Sequence, residues 1–456
     1  MTRRDRLWWV VVLASVPAAA GVAQDRPGNG TFTLALAGDA IITRRLSPYR
    51  EPEFVRLIDL IRGADAAFTN LEMLFHDYEP YPMHESGGTY MRAEPALAAE
   101  LVWAGFDLVS LANNHAGDYG VEGMRLNRRY AQEAGLVYAG TGENLAEARE
   151  ARFLETADGR VALVSLASTF PAHSAAGKAR GAVRGRPGLN PLRHTSLRLV
   201  LRDRLGPLRA ALRDAGITVS DSGGGGGGGD TLRALGTRFV VADTTGVRTL
   251  PDSEDVAEIA AVVRNAARLA EYVVVSIHAH EGGRTRAEPA EFLVTFARAM
   301  IDAGADVFVG HGPHVLRAIE LYKGKPLFYS LGDFMFQNET VLRLPEENYD
   351  PFNLGENRHV ADLNDARYRN DTRGFPSQRE IWESVVALVR WQGDTLAGIE
   401  LYPITLGFGR PRQERGRPKL ADRELGRKIV GDLLDRSRPF GTTIEWKDGI
   451  GVVRVR

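Results

Sequence analysis

Five short polar motifs carry the residue types that can do chemistry. They are Gly38-Asp39, Asn70-Leu71-Glu72, Asn113-Asn114-His115 with Asp118, His278-Ala279-His280-Glu281, and Gly310-His311-Gly312-Pro313-His314. The chain has ten histidines, and half of them (115, 278, 280, 311 and 314) fall in these motifs. Carboxylate, amide oxygen and imidazole together suit divalent first-row ions such as Zn²⁺, Mn²⁺ or Fe. A carboxylate such as Glu72 could bridge two ions, and two ions a few ångströms apart clamp the attacking and leaving oxygens of a phosphoryl or related displacement. Water on such an ion loses a proton more easily. No Gly-x-Ser-x-Gly elbow occurs, which argues against serine-hydrolase chemistry. The sequence has no cysteine, so disulfides, zinc–thiolate sites, Fe–S clusters and cysteine nucleophiles are excluded.

Each motif alone has an ordinary reading. Asp39 fits a helix cap, Glu72 a solvated acid, and Asn113-Asn114 a turn. His278 and His280 alternate along an extended segment and should face opposite sides. His278 is then the one aimed into a site, with His280 and Glu281 as supporting or substrate-facing groups. His311 and His314 flank Gly312-Pro313, a tight turn that can fold both imidazoles towards one point. What outweighs the ordinary readings is a shared position, because every motif directly follows a stretch that reads as a strand.

Those stretches are 31–37, 66–69, 106–111, 272–277 and 306–309, with further strands at 137–138 and 161–166. Helical spacing runs through 53–62, 94–104, 121–134, 255–270 and 288–303. Strands alternating with helices predict an α/β fold with a mostly parallel sheet covered on both faces. In such sheets the carboxyl ends of the strands share one edge, where ligands bind. Residues 381–406 read as two more strands, followed by a helix near 421–436 and a strand pair around 443–455.

Between these lies a stretch, 171–235, rich in Arg and Pro and holding seven consecutive glycines, Gly223 to Gly229. It reads as an irregular, flexible insertion. Residues 340–378 read as a polar excursion.

The chain has 456 residues and a formal net charge of −1. That balance gives no compositional case for nucleic-acid binding. The N-terminus has the three-part form of a secretory signal over residues 1–23. Arg3, Arg4 and Arg6 precede an apolar run from Leu7 to Val16, and small residues follow, with cleavage after Ala20 or Ala23. The protein is expected to be exported, in the periplasm or outside the cell, or held at a membrane by this segment left uncleaved.

The segments LALAGDAII (34–42), AAFTNLE (66–72), LVWAGFDLVSLANNHAGDYGVEGM (101–124), VVVSIHAHEG (273–282) and GADVFVGHGPHVLRAIELYKGKPLFYSLGDFMF (304–336) resemble the bacterial capsule-synthesis CapA family. Its members are also called poly-gamma-glutamate biosynthesis proteins. The resemblance spans residues 31–340 and implies a calcineurin-like metallophosphoesterase fold, two packed mixed sheets flanked by helices, with residues 341–456 completing or capping it. It also implies a role in envelope or capsular polymer metabolism. Carried over, it makes Asp39, Glu72, Asn114, His278, His311 and His314 ligands of divalent metal ions, expected to be two. His115 becomes the proton donor or substrate-polarising group, oriented by Asp118. Asn113, His280, Glu281 and Asp333 become substrate-facing or supporting groups.

Against the superfamily pattern, Ile41 stands where a histidine would follow the first aspartate, and the bridging acid is Glu72 rather than Asp. Against the family pattern, His278-Ala279-His280 replaces His-Trp-Gly, and Gly332-Asp333-Phe334 replaces Gly-Asn-Phe. Two functions follow. One is a metal-dependent hydrolase acting on an anionic polymer or phosphoester. The other is an accessory protein that binds the polymer or a membrane polymer synthase.

Overall fold

The computed structural model describes residues 30–220, 229–356 and 358–455. The signal-like segment 1–23 and Gly223 to Gly228 lie outside the described residues.

Two sheets pack face to face. The first contains, in spatial order, strands Ile444–Lys447, Ile450–Val453, Thr395–Thr405, Glu383–Gln392, Thr31–Ile41, Ala66–Leu71, Leu108–Ser110 and Val137–Ala139. Asp333–Phe336 also pairs with Thr31–Ile41. The second runs Ile319–Tyr322, Lys325–Phe328, Val307–His311, Tyr272–His278, Gly159–Ala167 and Arg152–Thr156. Alternation along each strand divides its side chains between two cores. Leu34, Leu36 and Phe68 from the first sheet meet Leu163, Val274 and Val309 from the second. On the outer face of the first sheet, Ala35 and Ala37 share a core with Phe54, Leu57 and Ile61 of helix Pro52–Arg62. On the outer face of the second, Val273, Val275 and Ile277 pack with Ile259 and Val263 of helix Ser253–Ala266 and with Phe292 and Phe296 of helix Glu291–Asp302. The result is the two-sheet, helix-flanked α/β fold that the resemblance implies. The first sheet is mixed, because Glu383–Gln392 and the strands beyond it run antiparallel.

The strand Thr31–Ile41 changes partner halfway. Thr31 to Leu36 pair antiparallel with Gln392 to Ala387, whereas Asp39 to Ile41 pair parallel with Asp333 to Phe336. The exchange happens at Gly38. There the backbone of Gly332 passes so close that a Cβ on Gly38 would stand 1.8 Å from the Gly332 carbonyl oxygen. That same oxygen accepts the Asp39 N–H at 3.1 Å.

The stretch read as irregular, 171–235, is largely built. His194–Val200, Thr231–Ala234, Thr237–Val241 and Gly246–Pro251 form a four-stranded sheet, with helix Arg202–Asp214 beside it. The sheet docks on helix Glu291–Asp302, where the His194 ring stacks on Phe292 at 4.4 Å. Its strands are half-buried or exposed at most positions, and polar, arginine-rich flanks masked their short apolar stretches. The polar excursion likewise contains helix Val360–Tyr368 and several single turns of 3₁₀ helix. Among the described residues, no helix is long and apolar enough to cross a membrane.

The same substitution should have opposite effects at two glycines. Gly38→Ala forces two backbones apart and should cost more than about 2 kcal/mol. Gly431→Ala, inside helix Arg423–Ser437 with nothing within 4 Å of the added methyl, should gain up to about 1 kcal/mol. Thermal melts of the two variants check this, and equal melting temperatures would refute the close-approach argument.

Candidate metal centre

Backbone register decides which side chains meet. In the first sheet Asp39 lies opposite Asn70 on one neighbouring strand and opposite Asp333 on the other. In the second sheet His278 lies opposite His311. Because the two sheets face each other, these rows end at one edge. Glu72, Asn114, His115 and His314 reach it from the turns that follow their strands.

Three groups of donor atoms each converge within 4.8 Å: Asp39, His278 and His311; Glu72, His278 and His280; Asp39, His314 and Asp333. Asp39 is held from two sides, its Oδ1 accepting Asn70 Nδ2 at 2.7 Å and its Oδ2 accepting the Gly312 N–H at 2.8 Å. The His278 and His311 Nδ1 atoms lie 3.7 and 3.5 Å from Asp39 Oδ1. Glu72 Oε1 lies 3.7 Å from His278 Nε2, 3.8 Å from His115 Nε2 and 4.0 Å from His314 Nε2. His311 turns its Nε2 to Ser276 Oγ at 2.7 Å, and His314 turns its Nδ1 to Asp333 Oδ1 at 2.8 Å. These contacts fix ring orientation and leave the other nitrogen facing the cluster. His314 itself sits at φ 56°, a left-handed conformation uncommon outside glycine.

His115 is oriented by Asp118, whose Oδ2 lies 2.7 Å from His115 Nδ1. Asp118 is pinned in turn by the N–H groups of Gly87 and Met91, each at 2.8 Å. Asn114 donates its Nδ2 to the Gly87 carbonyl at 3.0 Å. Glu72, Asn114, His115, His280 and His314 all line one cleft of about 100 Å³.

The cluster has an excess of acceptors. Both Glu72 oxygens, Asn70 Oδ1, Asn114 Oδ1 and Asp333 Oδ2 are buried with no hydrogen-bond partner. Each such atom costs about 1–3 kcal/mol if left so. All five are oxygens, and a donor-free cluster of buried oxygens beside imidazoles is what a divalent cation satisfies. These buried His, Asp and Glu groups could therefore hold metal ions.

The electrostatics agree. Burial pushes the Glu72 carboxyl well above the ordinary carboxylate range, and Asp39 and Asp333 push it further. Burial lifts Asp333 to about 6 even though His314 opposes the rise. Burial lowers His278 and His280 well below the ordinary imidazole value, helped by neighbouring imidazoles, and brings His311 to about 3. His314 moves the other way, because Asp333 and Asp39 outweigh its burial. Acids that resist ionising next to imidazoles that resist protonation describe a site short of positive charge.

Two sequence expectations need adjusting. Alternation should have turned His280 away from His278, yet their Nε2 atoms lie 2.9 Å apart. The strand ends at His278, and beyond it the backbone is re-aimed. Arg317 takes the Ala279 and His280 carbonyls at 3.2 Å each, and Thr169 Oγ1 takes the His280 N–H at 2.9 Å. Glu281 stays apart, accepting Ser168 Oγ at 2.7 Å. Asn113 acts as a staple, donating to the Leu71 carbonyl at 2.8 Å and accepting the His115 N–H at 3.1 Å. Asn70 had been read only as part of a motif. Its signal was its place, one residue before the end of a strand that pairs with that of Asp39.

The chain matches the family described as "Bacterial capsule synthesis protein PGA_cap" over residues 33–338, and it belongs to that family. It is 37% identical over 438 residues to an uncharacterized protein, y4sH, of Sinorhizobium fredii, covering 93% of both chains. It is 24% identical over 315 residues to the capsule biosynthesis protein CapA of Bacillus anthracis, covering 68% of this chain and 60% of that one. It is 28% identical over 231 residues to the PGA biosynthesis protein CapA of Bacillus subtilis, covering 51% of this chain and 43% of that one. The family is one of capsule and poly-glutamate biosynthesis.

A carboxylate buried without a partner weakens the metal-free protein. Because the folded Glu72 holds its proton to higher pH than the unfolded chain does, its contribution turns against folding as pH rises above about 4.5. In chelator-treated protein, Glu72→Gln should therefore melt a few degrees above wild type at pH 8, with the gap closing towards pH 4. A variant that melts below wild type at pH 8 would contradict this account of the cluster.

Proposed function

We propose that this capsule-synthesis family member is an exported metal-dependent hydrolase of an envelope or capsular polymer of the poly-gamma-glutamate type. The observation that carries the reading is the set of five unpartnered buried oxygens beside a cluster of imidazoles at one edge of two sheets. Such an arrangement suits bound cations, on which metal-assisted hydrolysis depends.

In this reading the ions would be held by Asp39, His278 and His311, by Glu72, His278 and His280, and by Asp39, His314 and Asp333, with Asn114 beside them. Zn²⁺, Mn²⁺ and Fe all suit the donors. Such ions supply Lewis acidity and an acidified water when bound. The chain's own residues do the rest. Asp118 keeps the Nδ1 face of His115 occupied, so Nε2 is the nitrogen turned into the cleft. Nε2 is thus placed to pass a proton to the leaving group. Gly87 and Asn114 close the cleft beside it.

Export rests on the N-terminal sequence alone. The names of the CapA relatives, which speak of biosynthesis, favour the second reading: an accessory protein that binds the polymer or its membrane synthase.

Elemental analysis of the purified protein separates the two. The hydrolase reading expects close to two ions per wild-type chain, lost in Glu72→Ala and in His311→Ala while both variants stay folded by circular dichroism. Wild type free of metal after supplementation with Mn²⁺ or Zn²⁺ would leave the accessory reading. With metal present, His115→Gln should lower turnover of an aryl phosphoester or poly-γ-glutamate by about 10²–10⁴-fold at unchanged metal content. An unaltered rate would remove His115 from the reaction.

A further inference from the structure

The cleft above Glu72 has two arginines on its wall, Arg286 and Arg367. They come from segments distant in sequence. Arg286 lies in the loop beyond His280, and Arg367 in the helix Val360–Tyr368 of the polar excursion. Each is steadied by a neutral acceptor. Arg286 Nη1 donates to Gln378 Oε1 at 3.0 Å, and Arg367 Nη1 donates to Thr89 Oγ1 at 2.7 Å.

Neither guanidinium has a carboxylate within ion-pair distance among the described residues. The acids whose charge acts on Arg286, namely Asp333 and Glu380, stand farther off. Several buried arginines are ion-paired instead, although the fully buried Arg317 gives its donors to backbone carbonyls. Arg149 pairs with Asp255, Arg415 with Glu339 and Asp371, and Arg417 with Glu51. Two half-buried cations sharing a cleft with no carboxylate at ion-pair distance leave donors to spare. A guanidinium fork matches a carboxylate or phosphate in two parallel hydrogen bonds.

The excursion is also firmly held, so Arg367 is a fixed feature of the wall. Arg412 and Arg415 tie Glu339 to Asp365 and Asp371. The Phe375 ring sits edge-on to His314 at 5.7 Å and to Phe336 at 5.1 Å. Its carbonyl accepts Trp382 Nε1 at 2.9 Å.

We propose that Arg286 and Arg367 form an oxyanion-reading pair, which grips a carboxylate or phosphate of the substrate beside the reacting bond and so selects acidic substrates. This rests on the reading of the Glu72–His115 cleft as the reacting centre. It gives the segment around Val360–Tyr368 a part in recognition.

The test titrates orthophosphate and, separately, glutarate into the full chain by calorimetry, both chelator-treated and Mn²⁺-loaded. Wild type, Arg286→Gln, Arg367→Gln and Arg367→Lys are compared, with metal content and melting temperature measured for each. The pair predicts that wild type binds one or both anions. Each Gln variant should weaken that binding at least about tenfold, at unchanged metal content and melting temperature. Arg367→Lys, which keeps the charge and loses the fork, should fall between, and it serves if the Gln variant does not fold. Preference for orthophosphate or for glutarate identifies the group read. Wild type that binds neither anion, or Gln variants that bind as wild type does, would overturn the proposal. Because the chelator-treated titration needs no metal, arginine-dependent binding in a protein that takes up no ion would sustain the pair while removing the hydrolase reading.

Discussion

The site depends on one backbone contact, the passage of Gly332 across Gly38. At that point a strand leaves an antiparallel partner and takes a parallel one, and no side chain fits between the two chains. The hydrogen bond from the Asp39 N–H to the Gly332 carbonyl, 3.1 Å long, locks the crossing. Everything downstream inherits its position from this. Asp333 lands beside Asp39 because Gly332 lands beside Gly38, and His314 is then drawn in by Asp333. The second sheet repeats the device more loosely. A Cβ on Gly310 would come within 2.4 Å of the Tyr329 carbonyl oxygen, so the segment leading to Gly332 is pressed against both sheets in succession. Glycine next to a functional residue at two strand ends reflects the close approach of backbone.

Much of this could be read in advance, for a simple reason. A strand buried on both faces is a continuous apolar run, so the first polar residue after it stands out. Asp39, Glu72, His115, His278 and His311 were visible in that way, and sheet topology made their convergence predictable. The failures also share a cause. His280 was misplaced because strand alternation was carried past the end of the strand, where Arg317, far along the chain, takes over the backbone carbonyls. The four-stranded sheet between residues 194 and 251 was missed because its half-exposed strands carry only short apolar stretches, such as 239–242, among arginines and polar residues. Its neighbouring polyglycine drew attention to flexibility. Arg286 and Arg367 carried no local signal at all. An arginine in a polar loop looks solvated until the fold shows it on a cleft wall with no carboxylate at ion-pair distance.

The charge balance of the centre ties these pieces together. Three carboxylates, Asp39, Glu72 and Asp333, are fully buried within a few ångströms of one another. Unfavourable burial of that kind persists only where something else stabilises the folded state. Cations bound at the bottom of the cleft would remedy this, and the two arginines place positive charge on its wall. The arrangement runs from buried oxygens that could hold metal ions, past His115 held by Asp118, to guanidinium groups on the cleft wall. An acidic substrate entering such a cleft would meet attraction at both ends.

The departures from the family pattern bear on the same balance. An asparagine in place of Asp333 could accept the His314 Nδ1–H as well as the carboxylate does, so the turn alone gives no reason for the acid. What the carboxylate adds is charge and a second oxygen, Oδ2, which is buried and unpartnered. It raises the basicity of His314 and, across the cluster, makes Glu72 harder to ionise. His280 adds an imidazole 2.9 Å from that of His278, on the side of Glu72. One change therefore increases the negative charge to be neutralised, and the other adds a neutral nitrogen donor close by. Both enlarge the donor set with oxygen or nitrogen, not sulfur. A richer shell of oxygen and nitrogen donors holds borderline and hard divalent ions more fully than the simpler pattern would. The two substitutions are best understood together, as one adjustment of a single charged cluster.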